Sequence, residues 1–220
     1  MHSLFSTTLS LDRSIYFDLS HPDGRGSDQV QAFADDIEQL LRKHRADIGI
    51  GRYNENRHCY QSEIFQKQDE ARTLHIGLDL FVPPGTDVYA PMDATIHSFN
   101  DNNNLLDYGP TIILQHAVNK QVNVYSLYGH LSRASLNNLC HGKTVSAGDK
   151  LGQVGNYPEN GNWPPHVHVQ LMSDMLDMQG DFPGVVEPTE APLWLELCPD
   201  PKWIVALPTQ SPSNTFKLNG

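Results

Sequence analysis

The stretch from residue 74 to residue 172 constrains the fold most, because short apolar segments recur there between turn-forming residues. Closely spaced short strands separated by glycine, proline and asparagine are typical of an antiparallel sandwich or barrel. We therefore predict a mainly β protein with an antiparallel β-sandwich or barrel-sandwich-like core. The segments run over 74–82, 87–99, 111–116, 121–129, 143–146, 150–155 and 165–172.

The regions on either side of this stretch have different patterns. Between residues 30 and 45, apolar side chains recur near the 3.6-residue period of an α-helix, which Ser27 or Asp28 can cap. After residue 172, frequent prolines predict a long loop-rich C-terminal segment. The predicted organisation is an N-terminal extension with a strand and a helix (1–48), a main domain (49–208) and a flexible tail (209–220).

Composition excludes several classes of partner. The net charge is −11, and phosphate backbones need clustered lysine and arginine, so we expect no nucleic-acid partner. No apolar run approaches the ~20 residues that a membrane-spanning helix needs. The first six residues, Met1 to Ser6, lack a basic region followed by an apolar one, so we expect no secretory signal and a cytoplasmic protein. A cell-envelope location stays open if the chain is exported by another route.

The three cysteines form no pair at metal-ligand or disulfide spacing, so a metal site would have to use histidine and carboxylate. The chain has eleven histidines, and two of them, His166 and His168, are separated by one residue in a valine-rich segment. In a strand their side chains share one face, with Cβ atoms ~6.5 Å apart. They can share a metal, or one can bind it while the other moves protons. An isolated pair of this kind is more often an ordinary exposed strand.

Two further motifs favour a metal site over an ordinary exposed strand. His75 and Asp79 would lie ~13 Å apart in a straight strand, but Gly77 lies midway and can supply a bend that brings them together. His130 follows Gly129 at the end of another β-rich segment. Catalytic zinc usually takes three protein ligands and keeps a fourth position open. One histidine of the 166/168 pair would complete that set with His75 and Asp79, which leaves two histidines for proton transfer or oxyanion stabilisation.

The ordered set of motifs resembles the M23 (LytM/lysostaphin-like) metallopeptidases. It comprises His75-x-x-x-Asp79, Gly129-His130-Leu131 and His166-x-His168, with Val145-x-x-Gly148-Asp149 in support, and it covers residues ~72–172. The whole chain is also similar to the M23-type segment of bacterial fusion proteins, where it lies between a kinase-like domain and a class III aminotransferase. Gly161-Asn-Trp-Pro-Pro-His166 and Gly180-Asp-Phe-Pro-Gly184 are among the residues that carry this second resemblance.

The resemblance implies roles that spacing alone leaves open. His75, Asp79 and His168 would bind Zn²⁺, and His130 and His166 would be the catalytic pair. The main domain would be an M23-like zinc endopeptidase that cleaves peptide or peptidoglycan-derived substrates at glycyl or D-alanyl bonds. No oligomeric state is predicted.

The sequence departs from the family pattern near Gly109, where Pro110 follows in place of the usual asparagine. In latent family members an upstream asparagine fills the fourth zinc position, and Asn54 and Asn56 are the candidates here.

Two alternative functions remain at this point. The first is a zinc-binding regulatory or binding module that hydrolyses nothing. The second is a biotinyl or lipoyl carrier domain, with Lys143 or Lys150 as the attachment site, although no Met-Lys-Met or Asp-Lys-Ala tip is present.

Overall fold

The structure is a computed structural model that describes residues 1–6, 9–20, 30–57, 66–67, 70–119, 121–207 and 215–217. Its helices are α1 (Val30–His44), α2 (Ala191–Leu197) and α3 (Lys202–Val205), with 3₁₀ turns at Leu11–Arg13, Arg133–Leu136 and Pro188–Glu190. Its strands are β1 (Ser14–Asp18), β2 (Ile48–Gly51), β3 (Glu55–Asn56), β4 (Gln66–Lys67), β5 (Glu70–Ala71), β6 (Leu74–His75), β7 (Leu78–Phe81), β8 (Asp87–Tyr89), β9 (Ala94–Asn102), β10 (Gly109–Ala117), β11 (Asn123–Gly129), β12 (Thr144–Val145), β13 (Lys150–Gln153), β14 (His166–Met172), β15 (Val185–Val186) and β16 (Thr215–Lys217).

A nine-stranded sheet organises the chain in the order β12-β9-β10-β11-β14-β7-β2-β1-β16. The pairs from β12 to β2 are antiparallel, whereas β1 runs parallel to both β2 and β16. The prediction of a mainly β fold is confirmed. The expectation of a purely antiparallel core is corrected. The main sheet is mixed, because the N-terminal strand β1 pairs in parallel with β2. The described strands form no closed barrel.

Alternation along β14 separates the core from the polar face. Val167, Val169 and Leu171 pack into the larger apolar cluster of the protein. Because successive side chains of a strand point to opposite faces, His166 and His168 lie on the other side of the sheet. All seven residues of β14 are buried, since a second apolar cluster, which includes residues from the C-terminal segment, packs over that other face.

The N-terminal helix is observed where the sequence predicted it. It ends at His44, with basic residues in its last turn that suit the negative end of the helix dipole. Its apolar side packs with β1 and Phe81 in a third cluster. The predicted caps Ser27 and Asp28 lie outside the described residues.

The C-terminal segment holds more structure than its prolines suggested. Pro192 lies in the first turn of α2, and Pro201 directly precedes α3. Proline is favoured at helix starts because its missing N–H needs no partner there. Thr215–Lys217, within the predicted flexible tail, pairs with β1 as a strand. The division into 1–48, 49–208 and 209–220 stays a prediction. None of the described helices combines the length and apolar character needed to cross a bilayer.

Candidate active site

Three neighbouring strands bring the predicted metal ligands together. His75 ends β6, the chain bends at Gly77, and Asp79 lies within β7, so the predicted bend is observed. The register between β14 and β7 places His168 directly opposite Asp79. Gly129 of β11 lies opposite His168 on its other side, which brings His130 to the same end of the sheet.

The three atoms that would bind a metal form a nearly equilateral triangle, which we call the donor triangle. Nε2 of His75 lies 3.1 Å from Nδ1 of His168, and that nitrogen lies 3.0 Å from Oδ1 of Asp79. The third edge, from His75 Nε2 to Asp79 Oδ1, is 3.3 Å. Tetrahedral zinc with bonds of roughly 2.0–2.1 Å separates its ligand atoms by about 3.3 Å. The three atoms therefore fit one face of a zinc coordination tetrahedron.

Hydrogen bonds on the outer side of each imidazole determine which nitrogen faces the triangle. Nδ1 of His75 donates to the carbonyl oxygen of Arg52 (2.9 Å), and Nε2 of His168 donates to Oε1 of Gln170 (3.0 Å). The Gln170 amide is oriented in turn because its Nε2 donates to the carbonyl oxygen of Pro183. With neutral rings, three lone pairs then meet with no proton between them. This donor set suits a metal ion.

Charge and burial keep Asp79 and His75 in the forms that bind a metal. Arg57 is buried and donates from Nη1 to Oδ2 of Asp79 (2.6 Å), so Oδ1 is left facing the histidines. Burial alone would raise the pKa of Asp79, but His75 and the Arg57 charge lower it well below its usual value. Burial and then the Arg57 charge lower the pKa of His75 to about 4. The carboxylate is therefore ionised and His75 neutral near pH 7.

His130 and His166 form a second pair beside the triangle, with ring centroids 4.2 Å apart. Nδ1 of His130 donates to the carbonyl oxygen of Asn160 (2.9 Å), and Nδ1 of His166 donates to that of Pro164 (2.6 Å). Nε2 is thus the acceptor nitrogen in both rings, and in His166 it lies 3.7 Å from Oδ1 of Asp79. Burial lowers the pKa of both imidazoles. Both are neutral bases near pH 7.

Asn160 connects the supports of the two imidazoles, a role that the sequence analysis missed. Its carbonyl holds His130, and its side-chain Nδ2 donates to the carbonyl oxygen of Trp163 (2.8 Å), the residue before Pro164. Gln170 was also missed, although its spacing from His168 places the two side chains on the same strand face. No sequence pattern indicated Asn160, because its contacts depend on a loop conformation.

The five site residues line a cavity of about 680 Å³. Asn54 and Asn56 are exposed and are not among its described lining residues, so neither occupies the fourth zinc coordination position beside the triangle. The other described histidines, including His97 and His116, lie outside it. His58 lies outside the described residues.

Gly77 packs so closely that a side chain would displace a predicted metal ligand. A Cβ atom there would stand 2.4 Å from both Cε1 and Nε2 of His168. We expect Gly77→Ala to weaken zinc binding about 10- to 100-fold, as loss of an outer support does. Competition against a chelating dye measures the affinity, and unfolding of the metal-free variant measures the change in the rest of the fold. Unchanged affinity would contradict this close packing.

Metal-free protein should lose stability as the pH falls from about 6.5 to about 4. Folding lowers the pKa of His75 from 6.5 to about 4, so in this window the unfolded chain binds a proton that the folded chain does not. Lowering the pH therefore favours unfolding, by roughly 3 kcal/mol over the whole window. Chemical unfolding near pH 7 and near pH 5 tests this, with His75→Gln as the comparison. Equal pH dependence in the two proteins would contradict it.

Comparison with known proteins places this site within a recognised family segment. Residues 73–179, a little under half of the chain, match the model of Peptidase family M23, and the five site residues all lie within that segment. Helix α1 and strand β1 lie outside it. No curated protein sequence matches the chain.

Solved structures with similarity to this chain include two catalytic domains. That of the antimicrobial peptidase lysostaphin from Staphylococcus simulans is 28% identical, with 53% of this chain and 77% of that chain covered and a TM-score of 0.39. A mutant catalytic domain of the prophage-encoded M23 protein EnpA from Enterococcus faecalis is 25% identical, with 56% and 83% covered and a TM-score of 0.39. A putative peptidase M23 from Pseudomonas aeruginosa is 19% identical, with 82% and 63% covered and a TM-score of 0.39.

Proposed function

We propose that this protein is a zinc-dependent peptidase of the M23 type. His75, Asp79 and His168 hold the metal, and His130 and His166 move protons. The observation that carries the proposal is the triangle of His75 Nε2, His168 Nδ1 and Asp79 Oδ1, with edges of 3.0 to 3.3 Å. The M23 match over 73–179 supports the same chemistry.

The two histidines outside the triangle supply the proton transfers that peptide hydrolysis needs. A zinc ion would act as a Lewis acid that acidifies water and polarises the scissile carbonyl. His166 and His130 are neutral and present Nε2 as an acceptor, so either can take the proton that water releases. The same proton passes to the leaving amine as the carbon–nitrogen bond breaks. The hydroxyl of water thus ends in a new carboxylic acid and its other proton in a new amine.

The substrate class that the resemblance favours is a peptide of the peptidoglycan type, cleaved at a glycyl or D-alanyl bond. A cytoplasmic location and the likeness to a segment of larger fusion proteins remain predictions.

A second candidate is a zinc-binding module that hydrolyses nothing. The low exposure of the five site residues, between 1% and 5%, favours it, because a substrate needs access to the reacting groups.

A cleavage screen separates the two functions. The zinc-loaded protein is incubated with oligoglycines, D-alanine-containing muropeptides and a mixed peptide set, with His130→Ala and a metal-free sample as controls. Cleavage that needs both zinc and His130 is expected. A zinc-loaded protein that leaves every peptide intact would instead be the non-hydrolytic module.

A further inference from the structure

Two residues outside the segment that matches family M23 help to line the cavity. Leu19 follows β1 and Phe33 lies on α1, and both line the cavity together with Phe81 of β7. We call these three residues the apolar wall. Leu19 and Phe81 are buried and Phe33 is half-buried, so these three side chains border the cavity with hydrocarbon.

The apolar wall contacts His166, one of the two proposed proton-moving histidines. The ring of Phe81 lies 4.9 Å from that of His166, at an interplanar angle of 33°. The ring of Phe33 meets Phe81 edge-on at a centroid distance of 6.4 Å. A group bound against Phe33 would therefore lie beside the reacting end of a peptide held near His166.

Buried hydrogen bonds connect the apolar wall to the donor triangle. The backbone N–H of Leu19 donates to Oε1 of Glu55 (3.0 Å), and Nε of Arg57 donates to Oε2 of the same carboxylate (3.0 Å). Arg57 continues the chain to Asp79 through its 2.6 Å bond. A fully paired buried network of this kind is rigid. The position of the wall relative to the site is therefore fixed by the fold.

We infer that the apolar wall is a substrate subsite for a large apolar side chain, of leucine or phenylalanine size, on a residue close to the scissile bond. The inference rests on the proposed peptidase function and makes it more specific. A cavity of about 680 Å³ falls within the roughly 300–1,000 Å³ that is usual for ligand pockets. The described lining combines apolar side chains with arginine, aspartate and histidine side chains, and the apolar wall is the part that lies against His166. Peptides made only of glycine and alanine would leave the wall unfilled.

Matched peptides test the subsite through a ratio of specificity constants. Zinc-loaded full-length protein is given quenched fluorescent peptides that differ only in carrying leucine, phenylalanine or glycine beside the cleaved bond. One methylene more or less in an apolar pocket changes kcat/KM by roughly 10- to 200-fold. We therefore expect kcat/KM for the peptides with leucine or phenylalanine to exceed that for the glycine peptide by at least about 10-fold. Phe33→Ala should lower this ratio at least about 5-fold.

Leu40→Ala is the matched control, since Leu40 lies on the same helix and in the same apolar cluster as Phe33 but does not line the cavity. It should leave the ratio unchanged. A parent ratio near one, or an equal loss in the two variants, would overturn the inference. Phe33→Trp keeps a large ring in the cluster, and should lower the ratio by filling the subsite even if Phe33→Ala does not fold.

A binding measurement separates failure of the subsite from failure of the proposed function. Titrations of N-acetylphenylalaninamide and N-acetylglycinamide, followed by NMR on zinc-loaded and metal-free protein, need no catalysis. If no peptide is cleaved but the aromatic amide binds more tightly and Phe33→Trp removes the preference, the subsite stands and the peptidase proposal fails. Equal binding of the two amides would overturn the subsite.

Discussion

His168→Ala is expected to retain almost no tightly bound zinc. The substitution removes one corner of the donor triangle and leaves Asp79 and His75 without the geometry that a tetrahedral ion needs. Loss of an outer support already weakens metal binding by about 10- to 100-fold, so loss of a ligand should exceed about 100-fold. Metal analysis after dialysis against a weak chelator, with the parent protein at about one zinc per chain, measures the effect.

His116→Ala is the matched control for this variant. His116 and His168 are each 3% exposed, but His116 contacts the carbonyl oxygen of Asp93 and Oγ of Ser126, away from the site. It should keep about one zinc per chain. Full zinc occupancy in His168→Ala, or the same loss in both variants, would show that the metal is held elsewhere.

His166→Ala should bind zinc and yet lose most of its activity. No edge of the donor triangle involves His166, whose Nε2 is 3.7 Å from Oδ1 of Asp79. A positioned proton acceptor contributes about 10²- to 10⁴-fold to rate, so kcat should fall by that order. His130→Ala should behave similarly, and the double variant should lose less than the product of the single losses, because residues that act as a unit are not additive.

His97→Ala provides the control, since His97 lies outside the cavity beside Tyr125 and His141. Its kcat and zinc content should match the parent values. If His166→Ala loses its zinc together with its activity, the division between ligands and proton-moving residues is wrong.

The parts of the fold that follow local rules were predictable from sequence. Short β segments, the helix near Phe33 and the bend at Gly77 depend on neighbouring residues, and each was observed. The edge of the sheet was not predictable, because the pairing of β1 with β2 and β16 joins segments that are distant in sequence. The two C-terminal helices were missed because Pro192 and Pro201 were taken only as signs of loop.

The candidate site was also predictable only in part. Spacing and the M23 resemblance singled out His75, Asp79 and His168, which the structure brings within a few ångströms of one another. Their orientation could not be read from sequence, because it depends on contacts made by Arg52 and Gln170 with groups elsewhere in the fold. The apolar wall was missed for a related reason. Its residues look like ordinary core positions until the fold places them at a cavity.

An anomalous difference map at the zinc absorption edge, from crystals of the zinc-loaded protein, tests the donor triangle most directly. We expect one strong peak at roughly 2.0–2.2 Å from Nε2 of His75, Oδ1 of Asp79 and Nδ1 of His168. A peak bound by other residues, or no peak at the triangle in crystals that contain zinc, would contradict the proposed metal site and the peptidase chemistry built on it.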